Sequence, residues 1–295
     1  MTSLFGIPIQ ALMGQVILGL VNGSFYAILS LGLAVIFGML NIINFAHGAL
    51  FMMGAFVAWM GSEYLGISYW WSLLTAPLLV GLFGIAIERS LLQWLYKLDH
   101  LYGLLLTFGL ALIIEGFFRH LYGVSGQPFS VPEELAGGIN LGFMFLPKYR
   151  LWVVVVSITV CFLTWFVIEK TRLGAYLRAA TENPKITQAF GINVPVMVML
   201  TYGFGVGLAG FAGVLAAPTG QLSPLMGSNL IITVFAVVVI GGMGSILGAI
   251  VTGVSLGVVE GLTKVFYPEA SATVVFVIMA IVLMFRPSGL FGKEK

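Results

Sequence analysis

Charge is scarce in this chain. Of its 295 residues, only 8% are Asp, Glu, Lys or Arg, against about 25% in a soluble globular domain. With 60% hydrophobic residues and a mean hydropathy of +1.08, that deficit excludes a water-soluble fold and leaves a polytopic membrane protein. Cysteine is almost missing. Cys161, inside an apolar run, is the only one, so no internal disulfide is possible and its natural role is that of a small buried hydrophobe. No Gly-x-x-x-x-Gly-Lys-[Ser/Thr] phosphate loop occurs, so the chain does not hydrolyse ATP by that route. There is no His-Glu-x-x-His, and the three histidines are scattered; the sequence points to no metal site, no cofactor and no catalytic constellation of its own. A net charge of +2 without a basic patch interleaved with aromatics gives no reason to expect nucleic acid. Residues 1–10 carry no Lys or Arg, and the apolar run from Ala11 lacks a cationic leader and an Ala-x-Ala site. It reads as a retained helix rather than a signal peptide.

What is abundant is hydrophobic runs. About 20 apolar residues cross the hydrocarbon as a helix. Candidate spans are 13–37, 49–65, 70–87, 102–120, 151–168, 195–217, 230–240, 245–262 and 273–285, of which 230–240 is too short to cross. The expected fold is an all-α integral membrane bundle of about eight hydrophobic segments, with one or two broken or re-entrant helices. Cations set its orientation, since Lys and Arg favour the cytoplasmic side. The densest basic cluster, Lys170, Arg172, Arg178 and Lys185, lies in segment 169–194, which is placed in the cytosol. Arg89, Lys97, Arg286, Lys293 and Lys295 belong on the same side, and 123–149 is the long external loop. Lys148 and Arg150 then fall outside, against the rule. Parity is met if 230–240 and 245–262 form a broken pair around Gly241-Gly242-Met243-Gly244-Ser245, a backbone break at membrane depth that protein or a water-filled cavity must satisfy. The N-terminus is then outside and the C-terminus inside. A second break, around Asn41, Asn44, His47 and Gly48, occupies a comparable place in the first half; paired breaks of this kind point to internal repeats and a central pathway. Gly203, Gly205, Gly207, Gly210 and Gly213, with Gly253 and Gly257, let helix backbones approach closely in lipid.

Segment 169–194 looks folded. Helix formers run over 173–181. Asn183 offers an N-cap oxygen, Pro184 suits the first helical position, and Gly191 suits the left-handed end of a helix. Two short helices result, with Leu177, Ala180, Ile186, Ala189 and Phe190 as apolar faces. Docking to a partner and contact with lipid headgroups both fit such a surface.

Polar residues inside the spans are few. Asn22, Asn41, Asn44 and His47 either line a polar path or cap and hydrogen-bond within the bundle; with Gly241, Gly242 and Gly244 they make up the candidate translocation path. Glu115 and Glu260 are costly in a membrane, but Arg119 and Lys264 follow each four residues later, within reach on one helix face. Glu88–Arg89 reads as an interfacial charge pair. Trp70, Trp71, Tyr149 and Trp152 read as interface anchors.

Several motifs then come together. Asn22-Gly23-Ser24-Phe25-Tyr26-Ala27 precedes Asn44-Phe45-Ala46-His47-Gly48. Arg178-Ala179-Ala180-x-Glu182-Asn183 is followed by Gly191-Ile192-Asn193-Val194, Leu208-Ala209-Gly210-x-Ala212-Gly213, Gly241-Gly242-Met243-Gly244-Ser245 and Arg286-Pro287-Ser288-Gly289-Leu290-Phe291-Gly292. In this order, over essentially the whole chain, the sequence resembles the permeases of bacterial branched-chain amino-acid ABC transporters of the LivH type. The resemblance implies a single permease domain over 1–295 in the bacterial inner membrane, a second LivM-like permease, two cytosolic ATPases, a periplasmic binding protein, and a small amino-acid substrate crossing by alternating access. It makes segment 169–194 the ATPase-coupling loop, carried by Leu177, Arg178, Ala179, Ala180, Glu182, Asn183, Pro184, Lys185 and Gly191. Here the chain departs from the Glu-Ala-Ala pattern of other importers: Arg178-Ala179-Ala180 stands in its place, and the spacing to Gly191 differs. A urea or short-chain amide importer shares this architecture, and an ion-coupled carrier would work without ATPases.

Overall fold

The structure, a computed structural model, describes residues 3–4, 7–40, 42–96 and 98–292. Asn41, Lys97, Lys293 and Lys295 lie outside the described residues. The helices are α1 (Ile9–Leu40), α2 (Ala46–Leu65), α3 (Tyr69–Ser90), α4 (His100–Tyr122), α5 (Lys148–Lys170), α6 (Arg172–Glu182), α7 (Pro184–Ala189), α8 (Val194–Ala216), α9 (Met226–Gly241), α10 (Ile246–Phe266) and α11 (Val274–Phe285). Strand β1 (Ser3–Leu4) pairs with β2 (Ile7–Pro8), and β3 (Gly138–Asn140) with β4 (Phe145–Pro147), as short antiparallel ribbons outside the bundle. Six helices, α1, α3, α4, α5, α8 and α10, are long and apolar enough to cross a membrane. The chain is a multi-pass helical membrane protein, as its hydrophobic runs imply.

Glycine decides which helices sit at the centre. Along α1 and α10, which run antiparallel, a Cβ on Gly257 would lie 2.3 Å from Gly23 Cα, one on Gly253 2.6 Å from the Ala27 nitrogen, and one on Gly261 2.3 Å from the Gln15 carbonyl. No side chain fits between these backbones. Helix α8 is gripped on three sides in the same way: Gly205 against Gly32, Gly213 against Phe51, and Gly203 against Gly81 and Ile85. In lipid, where apolar side chains gain nothing by leaving their surroundings, such close approach supplies the packing attraction. Helix α2 is the least expected central element. It carries His47 and is not among the long apolar spans, yet Ala46 to Phe56 are all buried, because other helices rather than lipid surround it. The outward faces of α3, α4 and α5 instead expose Leu74, Leu78, Leu105, Leu112, Phe162 and Phe166, the surface that a hydrocarbon solvent covers.

The two sequence breaks behave differently. The 42–45 connector is non-helical, with Ile42 and Asn44 buried and Ile43 and Phe45 half-buried. The Thr107 hydroxyl lies 3.2 Å from the Ile43 carbonyl and accepts from the Phe45 N–H at 3.2 Å. Thr107 is seven residues into α4, so this backbone is satisfied by protein about 10 Å along a helix. The glycine break is a correction. Gly241, Gly242 and Gly244 do not interrupt the bundle at depth. Since α10 is antiparallel to α1, and a Cβ on Gly244 would lie 3.0 Å from Gly38 Cα, the turn sits at the end of the bundle where α1 finishes. Gly242 and Gly244 take positive φ, 102° and 83°, which makes a tight corner between α9 and α10. The C-terminal tail seals it: Leu290 N–H donates to the Ile240 carbonyl (2.8 Å) and Phe291 N–H to the Gly241 carbonyl (3.1 Å), pairing groups that the end of α9 leaves open. At 16 residues, α9 is about 24 Å long, short of the hydrocarbon, whereas α10, at 21 residues, is a full-length helix.

The end with this corner also holds α6, whose Thr181 hydroxyl meets the Met39 sulfur at 3.9 Å. Arg89, Lys170, Arg172, Arg178, Lys185 and Arg286 therefore share one end, and the start of α1 lies at the other, with Lys148, Arg150 and Lys264.

Candidate functional site

Helices α6 and α7 form as their residues direct. The Asn183 side chain accepts from Ile186 N–H at 3.1 Å, Pro184 opens α7, and Gly191 ends it at φ 84°. The apolar residues split into two sets rather than one face. Gly174, Leu177 and Ala180, spaced by three, are buried against the bundle. Leu173, Tyr176, Ile186 and Phe190 are exposed, Phe190 by 81%. Leu177 and Ala180 thus anchor the unit to its own chain, a correction to the expectation that they face outward with Ile186, Ala189 and Phe190. Ala179, Glu182, Asn183, Pro184 and Lys185 are exposed.

The anchor is tight. A Cβ on Gly174 would lie 1.6 Å from the Ile168 carbonyl, so α6 crosses directly over the end of α5. The same carbonyl accepts from Arg178 Nη1 at 2.9 Å, and Arg178 reaches Glu169 at 3.5 Å. A guanidinium at a helix C-terminus satisfies its open carbonyls and complements its dipole. Arg178 is therefore a positioning residue that fixes the angle of α6. Sequence reasoning missed Gly174; the only signal was a glycine placed two residues into a helix.

The candidate path residues are not brought together. Asn44 is buried and donates from Nδ2 to Tyr202 Oη at 3.1 Å. His47 is fully buried, its Nε2 3.1 Å from the Leu29 carbonyl. Asn44 Oδ1 and His47 Nδ1 have no partner among the described residues. Asn22 lies far from both, on a cavity of ≈ 390 Å³ at the end opposite α6. Gly241, Gly242 and Gly244 form the corner at the α6 end.

The charged candidates resolve as pairs. Arg119 meets Glu115 at 3.0 Å and Lys264 meets Glu260 at 2.6 Å. Each carboxylate has a further partner on another helix: Ser228 on α9 donates to Glu115, and Tyr26 Oη donates to Glu260 at 2.7 Å. Glu88 departs from expectation. It is buried and accepts from Tyr96 Oη at 2.6 Å, while Arg89 is exposed; it is not an interfacial pair with Arg89. Burial, and then the Glu88 carboxylate, push the Tyr96 phenol well above its usual range. Tyr149 is also buried, bonded to Tyr69 Oη (3.0 Å) and the Leu215 carbonyl (2.9 Å), so it pins α5 to α3 and α8 instead of anchoring at the interface. No cluster of three or more metal-ligating side chains occurs among the described residues.

Comparison with known proteins follows the same lines. The family described as "Branched-chain amino acid transport system / permease component" matches residues 15–284. The chain is 29% identical to the permease BraD of Pseudomonas aeruginosa, over 95% of this chain and 96% of that protein. It is 28% identical to LivH of Escherichia coli, over 95% and 96% of the two chains. With LivM of Escherichia coli the identity is 25%, over 90% of this chain and 67% of the other. With a nine-tenths match to the family and a glycine-packed helical bundle that carries no phosphate loop, the chain belongs to the permease components of branched-chain amino acid transport systems, and is a transport subunit rather than an enzyme.

Proposed function

We propose that this chain is the membrane-spanning permease of a binding-protein-dependent importer, carrying branched-chain amino acids inward by alternating access, with ATP hydrolysed by separate partners. The observation that carries the reading is the α6–α7 unit. It is fixed to the bundle through Gly174, Leu177, Ala180 and Arg178, and presents Leu173, Tyr176, Ile186 and Phe190 outward. A rigid pair of short helices with an unmatched apolar surface on the basic end suits the groove of a cytosolic ATPase. Segment 169–194 is then the coupling loop of a single permease domain. Residues Ala179, Glu182, Asn183, Pro184 and Lys185 lie where a partner would touch, and Gly191 ends α7. Closure of two ATPases would press on α6–α7, and Gly174 and Arg178 would pass the force to α5.

The same reading supplies the other partners. The chain matches both a LivH and a LivM protein, which supports a second, LivM-like permease as its membrane partner. A periplasmic binding protein would deliver substrate at the end opposite α6, in a bacterial inner membrane. Few charges line the bundle, which suits a zwitterion with an apolar side chain; of the candidate path residues Asn22 lines an open cavity, whereas Asn44 and His47 are enclosed by the helices. Pull-down of the full chain from native membranes in mild detergent tests the assembly. Two ATPase-type chains and a second permease are the expected companions. Recovery of this chain alone, active after reconstitution without ATP, would overturn the proposal and make it an ion-coupled carrier.

A further inference from the structure

Lys148 and Arg150 sit on the side of the membrane that cations avoid, and topology alone gives Arg150 no reason to be there. The structure supplies one. Arg150 on α5, Lys264 on α10, and Gln15 and Asn22 on α1 line one cavity of ≈ 390 Å³ at the end opposite α6. Lys264 is neutralised by Glu260, which Tyr26 also holds. Arg150 has no ion pair or hydrogen bond among the described residues. The cavity therefore carries one uncompensated guanidinium, with two side-chain amides as neighbours. Leu18 and Phe25 form an apolar wall of the same space.

A planar fork of donors suits an oxyanion, held bidentately. Amides add donors, and the apolar wall offers room for a small hydrocarbon group beside the anion. We propose that this cavity is an oxyanion site, with Arg150 as the anion's partner, Asn22 and Gln15 as hydrogen-bonding groups, and a small apolar amino acid as the molecule whose carboxylate it takes. The identification of the amino acid rests on the permease reading; the oxyanion chemistry does not. The phosphate of a lipid headgroup offers the same chemistry from a second source, and the test separates the two.

Cys161 is the only cysteine and is buried, so Cys161→Ala leaves a chain without thiols. Asn22→Cys in that background places a reporter on the cavity, and Gln15→Cys provides a second should the first fail to fold. The full transporter is reconstituted in phosphatidylcholine vesicles and labelled with an anionic or a cationic methanethiosulfonate of similar size. A cleft with one net positive charge should favour the anionic reagent by about tenfold, and Arg150→Gln should bring the two rates together. Leucine at millimolar concentration should slow labelling with Arg150 present and not with Gln there. Protection that ignores leucine and appears only with phosphatidylglycerol in the vesicles would keep the oxyanion site and assign it to lipid. Equal reagent rates with no protection from either source would overturn the proposal. Labelling is read without ATP hydrolysis. An intact anion preference in a chain that neither assembles with ATPases nor imports leucine would therefore sink the permease reading and spare the site.

Discussion

Phe190 offers a direct test of the proposed coupling surface. Its ring is 81% exposed, so Phe190→Ala removes almost no contact within this chain. Surface changes of that sort stay within about ±0.5 kcal/mol of the parent's stability. If the ring fills a pocket in a partner, the loss appears there. A phenyl side chain buries about 200 Å² when covered, of which roughly 160 Å² is still free here. At about 25 cal/mol per Å² that area is worth up to about 4 kcal/mol, and truncated interface aromatics commonly cost about 2 kcal/mol or more. Even 2 kcal/mol corresponds to roughly a 30-fold loss of affinity. The measurement is binding of the purified permease in lipid nanodiscs to the proposed ATPase partners, run beside thermal unfolding and leucine uptake. Binding and uptake should fall together while unfolding is unmoved. Leu177→Ala should invert the pattern: that side chain is buried, and its loss should cost about 2–5 kcal/mol of stability. Unchanged ATPase affinity in Phe190→Ala, with full uptake, would refute the assignment of this surface.

Two further substitutions separate position from stability. Gly174→Ala places a methyl against the Ile168 carbonyl, so α6 must tilt; any stimulation of ATP hydrolysis by loaded binding protein should be lost, with a fall in stability no larger than that of Leu177→Ala, and normal stimulation would count against rigid transmission through α5. Thr107→Val keeps shape but removes the side-chain partner that the Ile43 carbonyl and the Phe45 N–H have among the described residues, so unfolding in detergent should be easier by about 1–3 kcal/mol, and an unshifted denaturation midpoint would show that the connector finds other partners.

The composition and the run lengths were enough to determine a polytopic helical bundle, its basic end and the two short helices of segment 169–194. Each follows from local rules: about 20 apolar residues per crossing, cations gathered at one end, and a cap and a proline at fixed positions. Asn183, Pro184 and Gly191 do what their side chains and backbones allow in any context. Glu115 and Glu260 find their cations for the same reason, since a helix brings residues four apart together.

What the sequence left undecided depends on contacts between distant segments. Leu177 and Phe190 are equally apolar in a list of residues, and only the crossing of α6 over α5 turns one inward and the other out. Asn22, Asn44 and the Gly241–Gly244 corner are separated in space because α1 and α10 run antiparallel along their glycines, and no local pattern encodes that pairing. Thr107 as the support of a broken backbone, and Arg150 beside Lys264 on one cavity, likewise come from helices far apart in the chain. Hydropathy and caps act within a few residues, so the sequence alone determined the elements. Close backbone packing selects which helices touch, so only the tertiary structure decided which polar groups share a site.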